Sequence, residues 1–129
     1  MPKMKLNLQD VFAAQKTISP YTRKTPLIAS PALTQRADVQ VSLKLEVLQE
    51  TGAFKARGAV NKILNLTPEQ RDRGVVTAST GNHGRAVSYA AREVGIPATV
   101  CLSEEVPENK VMAIEALGAE VVIYGESQD

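Results

Sequence analysis

The stretch GVVTASTGNHGRAVSYAAREVGIPATVCLS, residues 74–103, holds two short apolar strand patterns on either side of a helical pattern. A strand, a helix and a strand with short connections predict parallel strands joined by a right-handed crossover. The pattern then repeats, since PENKVMAIEALG predicts a helix that stops at Gly118 and AEVVIYG predicts a third strand over residues 121–124. We therefore predict the α/β class, as a three-layer αβα arrangement with a parallel sheet.

The preceding half of the chain predicts fewer regular elements. VQVSLKLEV, residues 39–47, alternates apolar and polar side chains and predicts a half-buried strand. From Ala53 to about Leu66 the apolar residues follow helical spacing, and TPEQRDRG adds a helix capped by Thr67 and stopped by Gly74. LQDVFAAQKTI predicts a first helix over residues 8–18, and the segment between, with its three prolines, predicts extended chain.

Composition excludes several function classes. The chain has 129 residues, 43% of them hydrophobic and 22% charged, with a net charge of +1, which predicts a folded soluble protein that acts in the cytoplasm. No basic stripe indicates nucleic acid, and no apolar run reaches the roughly 18 residues that a membrane span needs. One histidine and one cysteine exclude an internal disulfide and a metal site built from several histidines.

The first candidate site is the turn between the strand that ends near Ser79 and the next helix. Small and polar residues with side-chain donors occupy it: Ser79, Thr80, Gly81, Asn82 and His83. Free N–H groups at a helix start favour an anion, and the carboxyl edge of a parallel sheet is where ligands bind. The spacing matches neither common nucleotide-binding loop. Ordinary helix-start chemistry explains these residues equally well, so both interpretations stay open.

Lys55 is the second candidate, because a cation is poorly placed in the first turn of a helix. Its neighbours are small or apolar, which leaves room for a flat group. The positive helix end and Arg57 both disfavour a further positive charge there, and a neutral lysine is the form that attacks a carbonyl. The alternative is a solvated surface lysine.

Three segments carry a resemblance to a known family: YTRKTPLIASPAL, LKLEVLQETGAFKARGA and ASTGNHGRAVSYAA. Together they resemble the serine/threonine dehydratase family of pyridoxal-phosphate enzymes, of the tryptophan-synthase-β-like fold, also called fold type II. The remainder, GIPATVCLSEEVPENKVMAIEALGAEVVIYG, is similar to the small domain of that family. STGNHGRA resembles most the hydroxyectoine-utilisation dehydratase branch.

The resemblance implies a role for each candidate residue. Lys55 is the catalytic Schiff-base lysine, Phe54 lies against the ring of pyridoxal 5′-phosphate, and Asn82 bonds the ring oxygen. The substrate carboxylate is held by Ser79, Thr80, Gly81 and His83. The implied reaction is β-elimination from a small hydroxy-amino acid such as threonine or serine, in a full-length protein that is a homo-oligomer.

Two departures from the family bear on these expectations. Thr80 stands where racemases of the family have serine, which disfavours the alternative of a serine racemase. The glycine-rich loop for the cofactor phosphate is not found, so we expect an incomplete, N-terminal portion: residues 1–68 from the large cofactor domain and 69–129 from the smaller one. We therefore expect this chain alone to expose apolar surface and to have low activity. The rival interpretation is an inactive fragment or an anion-binding α/β module.

Overall fold

The computed structural model describes residues 6–126, which form six α-helices, five β-strands and a short 3₁₀ helix over Glu46–Leu48. The helices are α1 (Leu8–Ile18), α2 (Pro31–Ala37), α3 (Lys55–Leu64), α4 (Pro68–Arg73), α5 (Asn82–Val94) and α6 (Glu108–Glu115). The strands are β1 (Leu27–Ala29), β2 (Ser42–Lys44), β3 (Val75–Ala78), β4 (Ala98–Leu102) and β5 (Glu120–Ile123).

The parallel sheet predicted from residues 74–124 is present, with the strand order β3-β4-β5. Val76 is paired with Thr99, and Cys101 with Val122, so the three strands are in parallel register. Glycines end the elements between them: Gly95 follows α5 in the left-handed conformation at φ 70°, where a glycine avoids steric cost. The α/β class with a parallel sheet is therefore confirmed.

Both crossover helices lie on the same face of this sheet. A Cβ built on Gly84 of α5 would lie 3.2 Å from Val100 Cγ1 in β4 and 3.6 Å from Ile114 Cδ1 in α6. Two right-handed connections that run in the same direction place their helices in this way. On the opposite face Val76 is 74% exposed and Val122 is 38% exposed.

One hydrophobic core joins the two halves of the chain. Ile18 of α1 and Val60 of α3 belong to the same buried cluster as Ala86 of α5 and Val100 of β4. Helices α3 and α5 pack against each other, and the buried residues of both helices include several alanines, whose small side chains allow a close approach. Residues on both sides of the predicted domain boundary at 68 and 69 thus pack together, and the division into two domains stays a prediction.

The predicted half-buried strand over residues 39–47 is wrong. Strand β2 covers only Ser42–Lys44, pairs antiparallel with β1 and has no buried residue. Val39 and Val47 are 61% and 72% exposed. The alternation does not persist as a strand because the chain turns into a 3₁₀ helix at Glu46, whose carboxylate bonds Arg57 and Thr25. Strand β1 lies in the proline-rich segment that predicted only extended chain.

The expected exposure of apolar side chains in the N-terminal half is confirmed. Leu8, Phe12 and Leu27 are 72%, 63% and 67% exposed. In α1 only Ile18 is buried, although the helix has an apolar stripe. No helix within residues 6–126 has the length and apolar character needed to span a membrane.

Candidate active site

Lys55 lies in the first turn of α3, as predicted, although the helix begins at Lys55 itself and not at Ala53, and its side chain is exposed. The preceding residue, Phe54, makes no side-chain capping bond, and the first turn of α3 has no acidic residue. The nearest aromatic partner of the amine is Phe54, whose ring centroid lies 5.4 Å from Lys55 Nζ. Within residues 6–126, the Lys55 amine therefore has a weak cation–π contact and no acidic residue in its own helical turn.

A cavity of about 570 Å³ lies between α3, β3 and the start of α5. Three candidate residues, Phe54, Lys55 and His83, are among those that line it. Its other walls are mostly apolar and include Ala59, Ile63, Leu66, Val75, Val76 and Val87. Apolar walls and a phenyl ring fit a flat heteroaromatic ring, and an exposed lysine amine fits an aldehyde on that ring.

The turn from Ser79 to Asn82 connects β3 to α5 and does not line that cavity. The Ser79 N–H donates to the Cys101 carbonyl oxygen at 3.3 Å, which continues the sheet by one residue. The Gly81 N–H donates to Ser79 Oγ at 3.3 Å. Gly81 is the N-cap of α5 and provides no side-chain cap, and the first turn of α5 has no acidic residue. This positive helix end is therefore left without an anionic group from its own turn.

Gly84 is a structural requirement of this turn that the sequence analysis missed. A Cβ at Gly84 would lie 2.6 Å from the Ser79 carbonyl oxygen, a distance at which the backbone must shift. At Gly81, by contrast, a Cβ would meet no heavy atom within 4 Å. A glycine inside a helical pattern was the available signal, because it usually marks close packing.

Arg57 has a different environment from the one its sequence position predicted. Its Nε donates to Glu46 Oε2 at 2.9 Å and its Nη2 donates to Glu46 Oε1 at 2.8 Å. This two-point pair compensates the charge that was expected to act on Lys55. Hydrogen bonds from Arg57 and Thr25 lower the pKa of Glu46 from its ordinary value of 4.5 to about 2. Glu46 is thus a partly buried ion-pair partner.

A second ion pair joins Arg23, in the proline-rich segment, to Glu50. Arg23 Nε lies 2.6 Å from Glu50 Oε1, with side chains 61% and 36% exposed. The hydrogen bond from Arg23 lowers the pKa of Glu50. The neighbouring Gln49, which is buried, accepts from the Arg23 N–H and donates to the Arg23 carbonyl oxygen. Contacts between residues so distant in sequence leave no periodic pattern that sequence analysis could detect.

Comparisons with known proteins agree with these features. A family model described as pyridoxal-phosphate dependent enzyme matches residues 18–129. A Sinorhizobium fredii protein named as a threonine dehydratase is 56% identical over 124 residues, which are 96% of this chain and 37% of that protein. The L-threonine ammonia-lyase of Thermotoga maritima is 42% identical over 124 residues, 96% of this chain and 31% of that protein. The chain thus spans about a third of the length of these relatives.

Among solved structures, serine racemase from Dictyostelium discoideum is similar in fold. Its TM-score is 0.89 at 38% identity, over 95% of this chain and 40% of that one. The family model matches well over half of the residues, which is sufficient to assign the family. The predicted family and its cofactor, pyridoxal 5′-phosphate, are therefore confirmed, and the chain belongs to the pyridoxal-phosphate dependent enzymes.

Proposed function

We propose that this chain is part of a pyridoxal-phosphate dependent lyase that acts on a small hydroxy-amino acid such as threonine or serine. The substrate loses its β-hydroxyl and α-proton as water, and hydrolysis of the resulting enamine gives a 2-oxo acid and ammonia. The observation that carries the proposal is that Lys55 and His83, each from a helix start, line one apolar cavity. The names of the relatives from Sinorhizobium fredii and Thermotoga maritima support the substrate class.

Lys55 has two tasks in this proposal. Its amine would hold the cofactor through the aldehyde group and, once free, would accept the α-proton of the substrate. When bound, the cofactor supplies an electron sink for the substrate α-carbon. Phe54 would lie beside the ring of a bound cofactor, and Asn82 would donate a hydrogen bond to the ring oxygen. The exposure of both Lys55 and Phe54 leaves their cavity-facing sides open to such a group.

The turn before α5 binds the substrate carboxylate in this proposal. Ser79, Thr80, Gly81 and His83 surround a helix end that lacks a side-chain cap and an acidic residue. An anion is stabilised at such an end by the free N–H groups and by the helix dipole. The open space at Gly81 leaves room for the carboxylate beside the backbone.

For the whole protein we propose a cytoplasmic homo-oligomer, with residues 1–68 in the larger cofactor domain and residues 69–129 in the smaller domain. The packing of α3 on α5 brings the lysine helix and the carboxylate turn of the two regions near each other.

Serine racemisation is the second candidate function, and the likeness to the Dictyostelium discoideum racemase favours it. A racemase needs a second acid or base on the face of the substrate opposite Lys55. The position expected to provide it is Thr80, whose hydroxyl lies on a branched carbon and has less rotational freedom than that of serine. This branching supports the lyase over the racemase.

A chimera tests the proposal, with residues 1–129 in place of the matching segment of the Sinorhizobium fredii relative. We expect the chimera to release a 2-oxo acid from L-threonine or L-serine, with little D-serine. Lys55→Ala should abolish turnover, and Lys62→Ala, on the same helix and cavity wall, should leave most of it. A folded chimera that keeps its activity after Lys55→Ala would contradict the proposal, and D-serine as the main product would favour the racemase.

A further inference from the structure

Arg57 joins three separate segments at the start of α3. Its guanidinium binds both carboxylate oxygens of Glu46 in the 3₁₀ helix. The same Nη2 donates to the Arg23 carbonyl oxygen at 3.1 Å and contacts Thr25 Oγ1 at 3.4 Å. Thr25 is 4% exposed and donates to Glu46 Oε1 at 2.6 Å, so the carboxylate is bonded from two sides.

The loop before Lys55 is held at both of its ends. On one side, Gln49 is tied to the backbone of Arg23 by two hydrogen bonds of 2.8 and 3.1 Å. On the other side, Arg57 is tied to Glu46. Within the loop, Thr51 and Ala53 are buried at 1% and 8% exposure. Residues 51–54 therefore have little freedom to change the direction in which α3 begins.

These contacts determine the position of Lys55 because the N-terminus of α3 has no side-chain cap. The first turn of a helix frays readily when no side chain caps it, and Phe54 provides no cap. Arg57 is two residues from Lys55 in the first turn of α3, and both residues line the cavity. The bidentate bond from Arg57 to Glu46 fixes the orientation of the first turn of α3, as a side-chain cap would otherwise do.

We infer that the Glu46–Arg57 pair is a positioning device for Lys55: it fixes the first turn of α3, and with it the place of the reactive amine. This inference rests on the proposed function, which makes Lys55 the reacting group. The fork geometry of the guanidinium specifies one orientation of the pair, and this effect is separate from the contribution of the pair to stability. Neither Glu46 nor Arg57 reacts with the substrate in this account.

The test uses the 129-residue chain, pyridoxal phosphate as probe and borohydride to fix the product. Peptide mapping gives the rate of labelling at Lys55 relative to Lys62, which lines the same cavity from the same helix. The variants are Glu46→Gln, which removes the charge, and Arg57→Lys, which keeps charge and loses the fork. Glu50→Gln is the matched control, because it breaks the exposed pair with Arg23 and leaves Arg57 intact.

We expect the Lys55-to-Lys62 ratio to fall by about tenfold in Glu46→Gln and Arg57→Lys, since oriented reactions are sensitive to small displacements. Glu50→Gln should keep the ratio of the unsubstituted chain. Amide hydrogen exchange of residues 52–57 should quicken in the two variants, with residues 60–64 unchanged. This second readout involves no cofactor, and Arg57→Lys, the milder change, serves if Glu46→Gln fails to fold.

An unchanged ratio together with unchanged exchange at residues 52–57 would overturn the inference. A fall of equal size in Glu50→Gln would overturn it too, because general loosening would then explain the effect. Equal labelling of Lys55 and Lys62 in the unsubstituted chain would overturn the proposed function instead. The exchange comparison alone would then decide whether the pair positions the first turn of α3.

Discussion

Lys55 and Arg57 stand two residues apart at the start of α3, yet their surroundings differ in kind. Arg57 has a carboxylate partner, Glu46, at 2.8 Å. In the described part of the chain, Lys55 is exposed, has no acidic residue in its helical turn and has the Phe54 ring 5.4 Å from its amine. An ammonium group without an acidic partner at the positive end of a helix is destabilising. This cost has no benefit for a surface residue, but the position is useful for a lysine that reacts.

The Glu46–Arg57 pair predicts how stability depends on pH. The folded-state pKa of Glu46, about 2, lies below its ordinary 4.5, so the carboxylate contributes stability that is complete above pH 4.5 and is lost as the pH falls towards 2. Glu46→Gln should lower the free energy of unfolding by about 1–3 kcal/mol at neutral pH. The free energy of unfolding, measured with urea at several pH values between neutral and acidic, should depend less steeply on pH in the variant than in the unsubstituted chain. The same slope in both proteins would exclude a role for this pair.

At the scale of elements, helix ends were more predictable than strands. Thr67 and Gln70 form the capping box that their spacing predicted, and α4 begins at Pro68. These signals are local, so a few neighbouring residues suffice. The alternation of residues 39–47 failed because a strand needs a partner sheet, and β2 has only the short β1 beside it. An alternating pattern indicates which side chains lie on the same face of a strand. That face is buried only where another strand or helix packs against it.

The packing of α5 on β4 gives a prediction for two helical glycines. Gly84→Ala should destabilise the chain by about 1–3 kcal/mol, because its Cβ would overlap the Ser79 carbonyl oxygen. Gly58→Ala in α3, where no heavy atom lies within 4 Å of the added Cβ, should stabilise it by about 0.5–1 kcal/mol. Denaturant unfolding of both variants measures the difference. Equal effects of the two substitutions would contradict the close approach at Gly84.

At the scale of the whole molecule, the half after residue 74 was predictable and the half before it was less so. Strand, helix and strand follow each other there, so local patterns determine the order β3-α5-β4-α6-β5. The network of Thr25, Glu46 and Arg57 joins residues far apart in sequence, and only the folded chain brings them together. Of the candidate site, Phe54, Lys55 and His83 share a cavity, whereas the carboxylate turn stays a prediction.

Labelling of the unsubstituted chain tests the central claim, that Lys55 is the amine that holds the cofactor. The chain is incubated with pyridoxal phosphate, reduced with borohydride and mapped by peptide mass. We expect a pyridoxyl group concentrated on Lys55, with little on other exposed lysines such as Lys62. A label spread evenly over the lysines would contradict it, because Lys55 would then react no differently from a surface residue.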